Sequence, residues 1–216
     1  MASAEEERKK AARIILKLIR AVAIATNAPA KYGIMTENLR TTAVGIFDTA
    51  TGKWVLRLDS AHPGAPTPHI NINRAVSGVR DPHMPVPKGA LTAGSTATKA
   101  LQYGGKAALI AAIAVDAYHI MDAVVDDCKN TEKKRPGNKI AEVASSVGGA
   151  WTGGFLGAWA GNSTGAVIGG ALGLLFGRVG AVLGAIIGSV IGSMGGAIGG
   201  GEAGSTAAKN FMEELV

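Results

Sequence analysis

The chain has 216 residues, of which 31 are glycine and only 5% are aromatic, and its formal net charge is +6. A chain of this length can form one domain or two small ones, and with so few aromatic side chains its core must consist of aliphatic residues and close backbone contacts. The single cysteine, Cys128, excludes an intrachain disulfide or a cysteine cluster. The positive charge favours anionic partners, either lipid or nucleic acid.

An amphipathic helix is predicted near the N-terminus. Ser3 followed by Glu6 has the spacing of a capping box, so we expect a helix over about residues 4–26. Four basic residues share one face of this helix: Lys10, Arg13, Lys17 and Arg20. Five apolar residues share the other face: Ile14, Ile15, Leu18, Ile19 and Val22. The pattern suits an anionic membrane surface, an acidic partner or the outside of a globule, and we assign residues 1–34 to a helix that attaches to anionic lipid.

The first ten residues, MASAEEERKK, contain three glutamates before any apolar run. This composition is wrong for a cleaved secretory signal. We therefore expect association with a membrane after synthesis without a signal peptide, or release by a non-classical route.

Residues 35–88 are predicted to form a small β unit and a proline-rich linker. Alternating apolar residues predict strands at Thr41–Phe47 and Lys53–Asp59, joined by the turn DTATG, and a third short strand at His69–Asn73. The antiparallel unit is thus expected near residues 36–73. The prolines of Pro82–Lys88 predict an extended linker, because each proline disfavours helix at the residue before it.

Four residues of this unit form a candidate catalytic site. Arg57 and Asp59 alternate on one face of a strand, His62 follows its end, and His69 opens the next strand. Two histidines at strand ends suit acid and base roles on a phosphodiester, with Arg57 stabilising the negative charge. Alternatively, Asp59 and the two histidines could bind zinc, or the histidines could simply hydrogen-bond the turn.

The segment Arg57 to Asn73, with R-x-D-x-x-H followed by P-H-x-N, resembles C-terminal toxin domains of bacterial polymorphic toxins. The resemblance covers about twenty residues and implies a toxin effector, with His62 and His69 at the matched positions. Under this alternative the protein is a toxin-like hydrolase or nuclease, and nucleic acid is a possible partner.

Residues 89–140 are predicted to be a helical block that ends in a charged loop, KNTEKKRPGNK. Four polar residues of this block recur at helical spacings: Asp116, His119, Asp122 and Asp126. Such a set can bind a metal, lose charge on acidification, or form a solvated stripe opposite the apolar segment AALIAAIAV.

Residues 141–216 contain the strongest pattern in the chain, a glycine at every fourth position with one step of three, from Gly177 to Gly180. The set comprises Gly149, Gly153, Gly157, Gly161, Gly165, Gly169, Gly173, Gly177, Gly180, Gly184, Gly188, Gly192, Gly196 and Gly200. Each glycine inside a helix costs about 1 kcal/mol relative to alanine, so close backbone packing must stabilise these helices. We expect two or three glycine-lined helices folded as hairpins, with turns at Asn162–Thr164 and at Arg178.

This region is similar in character to the glycine-zipper hydrophobic hairpins of pore-forming toxins. The predicted fold is α+β, mainly α, with glycine-zipper hairpins and a small antiparallel β unit. The preferred function is that of a membrane-active protein, either pore-forming or membrane-inserting, that oligomerises with itself through GxxxG helices and needs no cofactor or metal. The alternatives are the hydrolase and a self-assembling structural protein, and enzymatic activity is expected only under the first of these.

Overall fold

The computed structural model describes residues 3–39, 42–78, 80–129 and 137–215. The chain is mainly helical with a small antiparallel sheet and a long helical hairpin, which confirms the predicted α+β, mainly α class. In chain order the elements are α1 (Ala4–Asn27), β1 (Tyr32–Leu39), β2 (Thr42–Asp48), β3 (Trp54–Asp59), β4 (His69–Ile72), α2 (Arg74–Ser77), β5 (Met84–Pro85), α3 (Lys88–Lys129), α4 (Asn138–Gly173), a 3₁₀ turn (Leu174–Phe176) and α5 (Gly177–Leu215).

The chain divides into two compact units, each built from separate stretches of sequence. The first unit comprises Met1–Ala28, Gly105–Gly161 and Ser193–Val216. The second comprises Pro29–Gly104 and Asn162–Gly192. The three long helices α3, α4 and α5 each contribute residues to both units.

In the first unit, α1 packs against α4 and α5. Ser3 Oγ accepts the N–H of Glu6 at 3.3 Å, as the capping-box spacing predicts. The buried core consists of small and aliphatic side chains from the three helices: Ala21, Ile24, Ala158 and Ala197. A Cβ added to Gly154 of α4 would lie 2.5 Å from Ile24 Cδ1, so a glycine at this position lets α1 approach the hairpin closely.

In the second unit, the five strands form one antiparallel meander in the order β1-β2-β3-β4-β5. Strands β2, β3 and β4 agree with the three predicted strands to within one residue at most ends, although Thr41, the predicted start of the first, lies outside the described residues. The sheet is larger than predicted, because β1 adds a strand before β2.

The predicted linker Pro82–Lys88 is in part a strand. Met84 pairs with Ile70 and Pro85 pairs with His69, so β5 forms an edge of the sheet. A proline is tolerated there because an edge strand does not need every N–H for pairing. Helix α3 then begins at Lys88, and Gly94 allows it to approach the sheet, since an added Cβ would lie 2.9 Å from Leu58 Cδ2.

Most of the predicted charged loop after α3 lies outside the described residues. Residues before and after this loop contact each other: the carboxylate of Asp127, near the end of α3, accepts the N–H of Ile140, near the start of α4, at 3.0 Å. Lys139 pairs with Asp126. These contacts connect the end of α3 to the start of α4 within the first unit.

Helices α4 and α5 form a single hairpin. The turn predicted at Asn162–Thr164 is wrong, because α4 continues through these residues. Asn162 has polar partners inside the second unit: its Oδ1 accepts the N–H of Lys31 at 2.8 Å, and its Nδ2 donates to the carbonyl of Ser189 at 3.3 Å. The chain reverses instead at Leu174–Gly177, next to the predicted turn at Arg178.

The reversal depends on Gly177, whose φ of 79° and ψ of −174° are accessible essentially to glycine alone. Apart from its neighbours in the chain, no atom of the described residues lies within 4 Å of a Cβ built on Gly177. This member of the predicted packing set therefore serves the turn and not helix packing.

Candidate functional site

Six glycine pairs bring α4 and α5 into backbone contact. In each pair, a Cβ added to either glycine would overlap the carbonyl oxygen of the other. The pairs are Gly149 with Gly204, Gly153 with Gly200 and Gly157 with Gly196 in the first unit, and Gly165 with Gly188, Gly169 with Gly184 and Gly173 with Gly180 in the second. Gly161 and Gly192 lie on the same two helices. Contacts this close replace side-chain packing with dispersion and Cα–H···O contacts between backbones.

The partner of this glycine surface belongs to the same chain. The sequence pattern indicated close helix contact but left the partner open. Gly204, which the fourfold count did not include, extends the pairing by one step beyond Gly200.

The large apolar side chains of the hairpin point away from the glycine interface. Among the exposed ones are Leu156, Trp159, Val167, Ile168, Leu172, Ile187, Val190 and Ile191. At the turn, Leu175 and Phe176 are 81% and 83% exposed. The hairpin therefore presents an apolar surface that the described residues do not cover.

Two helical segments of the described chain are long and apolar enough to cross a membrane by length and composition: Lys88–Lys129 and Asn138–Glu214. A core helix of a soluble protein can meet the same two criteria, but it would be mostly buried. In the most apolar 18-residue windows of these segments, only 17% and 11% of the residues are buried within the chain.

The basic residues of α1 have different surroundings. Lys10 and Arg13 are exposed, Lys17 pairs with Glu202, and Arg20 is engaged in a part-buried ion pair. The apolar face of the helix is only partly packed, since Ile14, Ile15 and Leu18 remain about half exposed. Lys10, Arg13 and this apolar face together keep the amphipathic character that the sequence predicts.

The partner of Arg20 is Asp116 of α3, a connection that sequence spacing could not predict. Asp116 is 3% exposed, and its carboxylate accepts from both Nε and Nη2 of Arg20. The indole N–H of Trp151 donates to the same carboxylate at 2.7 Å. Asp116 thus joins α1, α3 and α4 in the first unit, and it does not belong to a solvated polar stripe.

Three of the four candidate catalytic residues, Arg57, Asp59 and His69, lie on one face of the sheet in the second unit. In the antiparallel pairing of β3 and β4, Arg57 lies opposite Asn71 and Asp59 lies opposite His69. Directly opposed residues project to the same face, so these four side chains form one polar patch. Strand alternation predicts this grouping from sequence.

Asp59 is the centre of the patch. It is 1% exposed, and its Oδ2 lies 3.1 Å from Arg57 Nη2 and accepts from Asn71 Nδ2 at 2.5 Å. The Arg57 guanidinium also lies over the Trp54 ring, 4.4 Å from its centroid. Asp59 and Trp54 together fix the position of the guanidinium.

His69 is 1% exposed and lies beside this patch. Its Nδ1 is 2.9 Å from the carbonyl oxygen of Thr67. Because a carbonyl only accepts, Nδ1 must carry the proton, and in the neutral ring the lone pair is then on Nε2. Nε2 is buried and has no hydrogen-bond partner among the residues that the structure describes.

His62 is bound to its own turn. Its Nδ1 accepts the N–H of Gly64 at 3.3 Å, and its backbone pairs with Ala65. The neutral ring therefore carries its proton on Nε2, the opposite tautomer to that of His69. The two rings lie 5.1 Å apart, edge to face.

A third histidine, His83, joins the cluster from the loop before β5. Its exposed ring lies 5.2 Å from that of His69, and its φ of 41° is in the left-handed region, unusual for a residue other than glycine. The Asp81 carboxylate holds the loop by accepting the N–H groups of Ile72 and His83 at 3.1 and 3.3 Å. No sequence motif marks His83. Its ring lies beside His69 only because of the path of this loop, which local sequence spacing does not predict.

Unpaired polar atoms accumulate at this patch. In the described part of the chain, three buried side-chain polar atoms lack a hydrogen-bond partner: Arg57 Nε, His69 Nε2 and Asn71 Oδ1. Leaving a buried polar group unpaired costs about 1–3 kcal/mol, and such groups in native proteins often mark functional sites. All three belong to the face that carries the sequence-predicted site.

Within residues 3–39, 42–78, 80–129 and 137–215, no three His, Cys, Asp or Glu side chains are arranged so that they could hold a metal ion.

The N-terminal part of the chain is similar to a described domain family. Residues 15–103 match the family described as the C13G5.2-like N-terminal domain. The chain is also 33% identical over 135 residues to "Uncharacterized protein C13G5.2" of Caenorhabditis elegans, an alignment that covers 58% of this chain and 37% of the relative. The chain thus spans little more than a third of that protein's length. No solved structure matches the chain significantly.

The family match includes β1 to β5 and the three neighbouring histidines His62, His69 and His83. The glycine-paired hairpin lies outside it.

Proposed function

We propose that the protein inserts into membranes through the α4–α5 hairpin. The observation that carries this proposal is the exposed apolar surface of the hairpin: in its most apolar 18-residue window, only 11% of the residues are buried. A soluble protein would have to cover such a surface, whereas lipid is a favourable environment for it.

The glycine pairs support this proposal. Between helices in lipid there is little hydrophobic driving force, so association relies on close backbone approach at small residues. The hairpin has this arrangement, with glycine inside and Leu, Ile, Val and Phe outside. Since the paired glycines already contact each other within one chain, they are not available to a second copy in this conformation.

The distribution of charge also fits a membrane hairpin. The 35 residues between Glu142 and Arg178 and the 23 between Arg178 and Glu202 carry no charge. About 20 helical residues span the roughly 30 Å hydrocarbon core of a bilayer. Glu142 pairs with Lys209 at the open end of the hairpin, and Arg178 follows the turn, so charges stand at the ends of the uncharged arms.

Helix α1 would attach to the membrane surface. Its exposed Lys10 and Arg13 suit anionic headgroups, and the half-exposed Ile14, Ile15 and Leu18 suit the boundary between headgroups and acyl chains.

Two hydrogen bonds of the second unit oppose full insertion of the turn half of the hairpin. Asn162 accepts from the backbone of Lys31, and Arg178 Nη1 donates to the carbonyl of Gly78 at 3.3 Å. We therefore expect both contacts to break when the turn half enters lipid, because in the described conformation residues of the β unit hold this half.

The test is flotation of the protein with vesicles that contain anionic lipid. Val167→Glu and Ile191→Glu place a carboxylate at exposed hairpin positions, where it is harmless in water but costs about 2.5–3.5 kcal/mol at the centre of a bilayer. Both variants should float less than the unmodified protein. Val76→Glu, at an exposed position of α2, is the matched control and should float normally.

If Val167→Glu and Ile191→Glu float as well as the unmodified protein, the hairpin does not enter lipid. Large lipid-free particles would then favour the self-assembling structural protein. Dye release from the same vesicles separates pore formation from simple insertion.

A second candidate function is hydrolysis of a phosphodiester at the polar patch of the sheet. The observation that favours it is the buried, unpartnered Nε2 of His69, oriented by the hydrogen bond of Nδ1 to Thr67. A histidine held in this tautomer is suited to accept a proton. Arg57, fixed by Asp59, would stabilise negative charge.

Cleavage of single-stranded RNA and of bis(p-nitrophenyl) phosphate tests this function. His69→Asn is the informative variant, because its side-chain amide can still donate to the Thr67 carbonyl while Nε2 is lost. Activity that disappears in this variant supports the hydrolase. Absence of any activity in the unmodified protein refutes it.

A further inference from the structure

We infer that the outer edge of strand β1 is a dimerisation surface, at which a second copy of this chain adds its own β1 in antiparallel orientation. The glycine pairs of α4 and α5 are used within one chain, so self-association needs a different surface. The five-stranded sheets of two copies would then form one continuous sheet. The inference goes beyond membrane insertion and is tested independently of it.

The two edges of the sheet differ in their capacity to pair. β1 is the first strand in the order of the sheet and pairs on one side only, with β2. It spans the eight residues Tyr32–Leu39, none of which is proline. At the other edge, β5 spans only Met84–Pro85, and Pro82, Pro85 and Pro87 have no backbone N–H to offer a partner. Shortness and proline are means by which proteins protect sheet edges, so β1 is the edge left open to a partner.

The hydrogen bonds at the end of this hairpin show which backbone groups of β1 face outward. The N–H of Thr49 donates to the Lys31 carbonyl, whereas the N–H of Asp48 donates away from β1, to the Lys53 carbonyl. Because bonding alternates along an antiparallel pair, every second residue of β1 points its N–H and C=O away from β2. These residues are Tyr32, Ile34 and Thr36, which lie opposite Asp48, Ile46 and Val44. Within the described residues, no hydrogen bond reaches their outward groups.

The outward groups of β1 are complementary to those of a second β1. With a twofold axis beside Ile34, the Ile34 residues of the two copies exchange both backbone hydrogen bonds. Tyr32 of each copy does the same with Thr36 of the other, so every outward N–H has an acceptor. The Ile34 side chain is 41% exposed, and across the axis the two isoleucines would pack against each other.

Charge favours the same register. Between Lys31 and Leu39 the two charged residues are Lys31 and Glu37, and each lies three positions from Ile34. An axis beside Ile34 therefore places Lys31 of either copy opposite Glu37 of the other. Opposite charges across two strands stabilise their pairing, and like charges destabilise it. A register shifted by two residues places neither charge opposite the other, so the chain itself specifies this pairing.

Disulfide formation between copies tests the register directly. Residues that exchange both hydrogen bonds across antiparallel strands have Cα atoms about 5.5 Å apart, a separation that a disulfide spans. In a Cys128→Ser background, the full chain with Ile34→Cys should form a disulfide-linked dimer on mild oxidation. Val76→Cys, at an exposed position of α2, is the matched control and should remain largely monomeric on a non-reducing gel. Equal cross-linking of the two variants, or none in Ile34→Cys, overturns the inference.

Proline at the axis separates pairing between copies from folding of the sheet. Ile34→Pro removes an N–H that faces outward, so the β1–β2 pairing keeps its hydrogen bonds. The dissociation constant of the dimer should rise at least about tenfold, since each copy loses one hydrogen bond of the new pair. Size-exclusion chromatography with light scattering, in one detergent for all variants, measures this change. An unchanged far-ultraviolet circular dichroism spectrum shows that the chain still folds.

Charge reversal identifies the partner as a second copy and does not depend on the proline variant. Lys31→Glu and Glu37→Lys should each raise the dissociation constant by about threefold to tenfold, because each places like charges opposite each other twice. The double variant restores opposite charges at unchanged net charge, so it should associate like the unmodified chain. A foreign strand as partner would not show this recovery, and a double variant weaker than both single ones overturns the inference.

Two further outcomes of these experiments also decide against the β1 dimer. An unmodified chain that stays monomeric at its highest soluble concentration has no such surface. A dimer that persists unchanged in Ile34→Pro and in both charge variants forms elsewhere, for example through the apolar surface of the hairpin. Flotation with vesicles is measured separately, so the failure of this inference and the failure of membrane insertion are distinguishable.

Discussion

Adjacent glycines of α5 allow a sharp test of the hairpin interface. A Cβ added to Gly196 would overlap the carbonyl oxygen of Gly157, whereas a Cβ added to Gly195 meets nothing within 4 Å. The same contrast recurs one turn later, between Gly200, which contacts Gly153, and Gly199, which is open. The same substitution can therefore be compared at two neighbouring positions of one helix, one in contact with α4 and one open.

Alanine at the open positions should stabilise the protein. Replacing glycine by alanine in a helix raises the free energy of unfolding by about 0.5–1 kcal/mol, since the unfolded chain loses freedom. Gly195→Ala and Gly199→Ala should each show a gain of this size. No contact of the folded state opposes it.

Alanine at the paired positions should have the opposite effect. Overpacking costs about 1–3 kcal/mol, and here the obstructing atom belongs to a backbone and cannot move aside by changing rotamer. Alanine also stabilises the helix by about 1 kcal/mol relative to glycine. The net free energy of unfolding of Gly196→Ala and Gly200→Ala should therefore fall by up to about 2 kcal/mol. Because the helical gain is common to both, the variants at neighbouring positions should differ by the overpacking cost, about 1–3 kcal/mol.

The assay is thermal unfolding, followed by far-ultraviolet circular dichroism in one detergent or buffer for all four variants. For a chain of this size, the predicted difference corresponds to roughly 2–12 °C between the variants at neighbouring positions. Equal shifts for Gly195→Ala and Gly196→Ala would show that α4 and α5 are not in backbone contact there. The intrachain zipper would then be refuted.

Three further predictions concern single side chains. Asp116→Ala should lower the free energy of unfolding by about 3–5 kcal/mol, because it leaves Arg20 part-buried and unpaired. Adding Arg20→Met should recover most of this loss. If the second substitution does not reduce the loss, the ion pair is contradicted. The free energy of unfolding of His83→Gly should exceed that of His83→Ala by about 1–2 kcal/mol, since only glycine accepts a φ of 41° freely. Equal melting temperatures of the two variants would argue against backbone strain at this position. Arg178→Gln should increase the fraction of protein that floats with vesicles, because it removes the hydrogen bond to the Gly78 carbonyl. Arg74→Gln, at an exposed position, should leave this fraction unchanged. Unchanged flotation of Arg178→Gln would show that its hydrogen bond to Gly78 does not hold the hairpin.

Sequence alone predicted the features that depend on neighbours in the chain. Capping by Ser3, the alternation of β3 and the fourfold glycine spacing are local patterns, and each predicted an element close to the observed one. The grouping of Arg57, Asp59 and His69 on one sheet face followed from the same alternation, once the two strands were expected to pair.

Tertiary structure decided which distant residues meet. The polar Asn162 suggested a turn, but long-range hydrogen bonds keep it in a helix, and the chain reverses at Gly177 instead. The partner of the glycine surface, the pairing of Arg20 with Asp116 and the approach of His83 to His69 all depend on where the chain returns after a long excursion. Local periodicity contains no information on that return, because many folds are compatible with the same helices and strands.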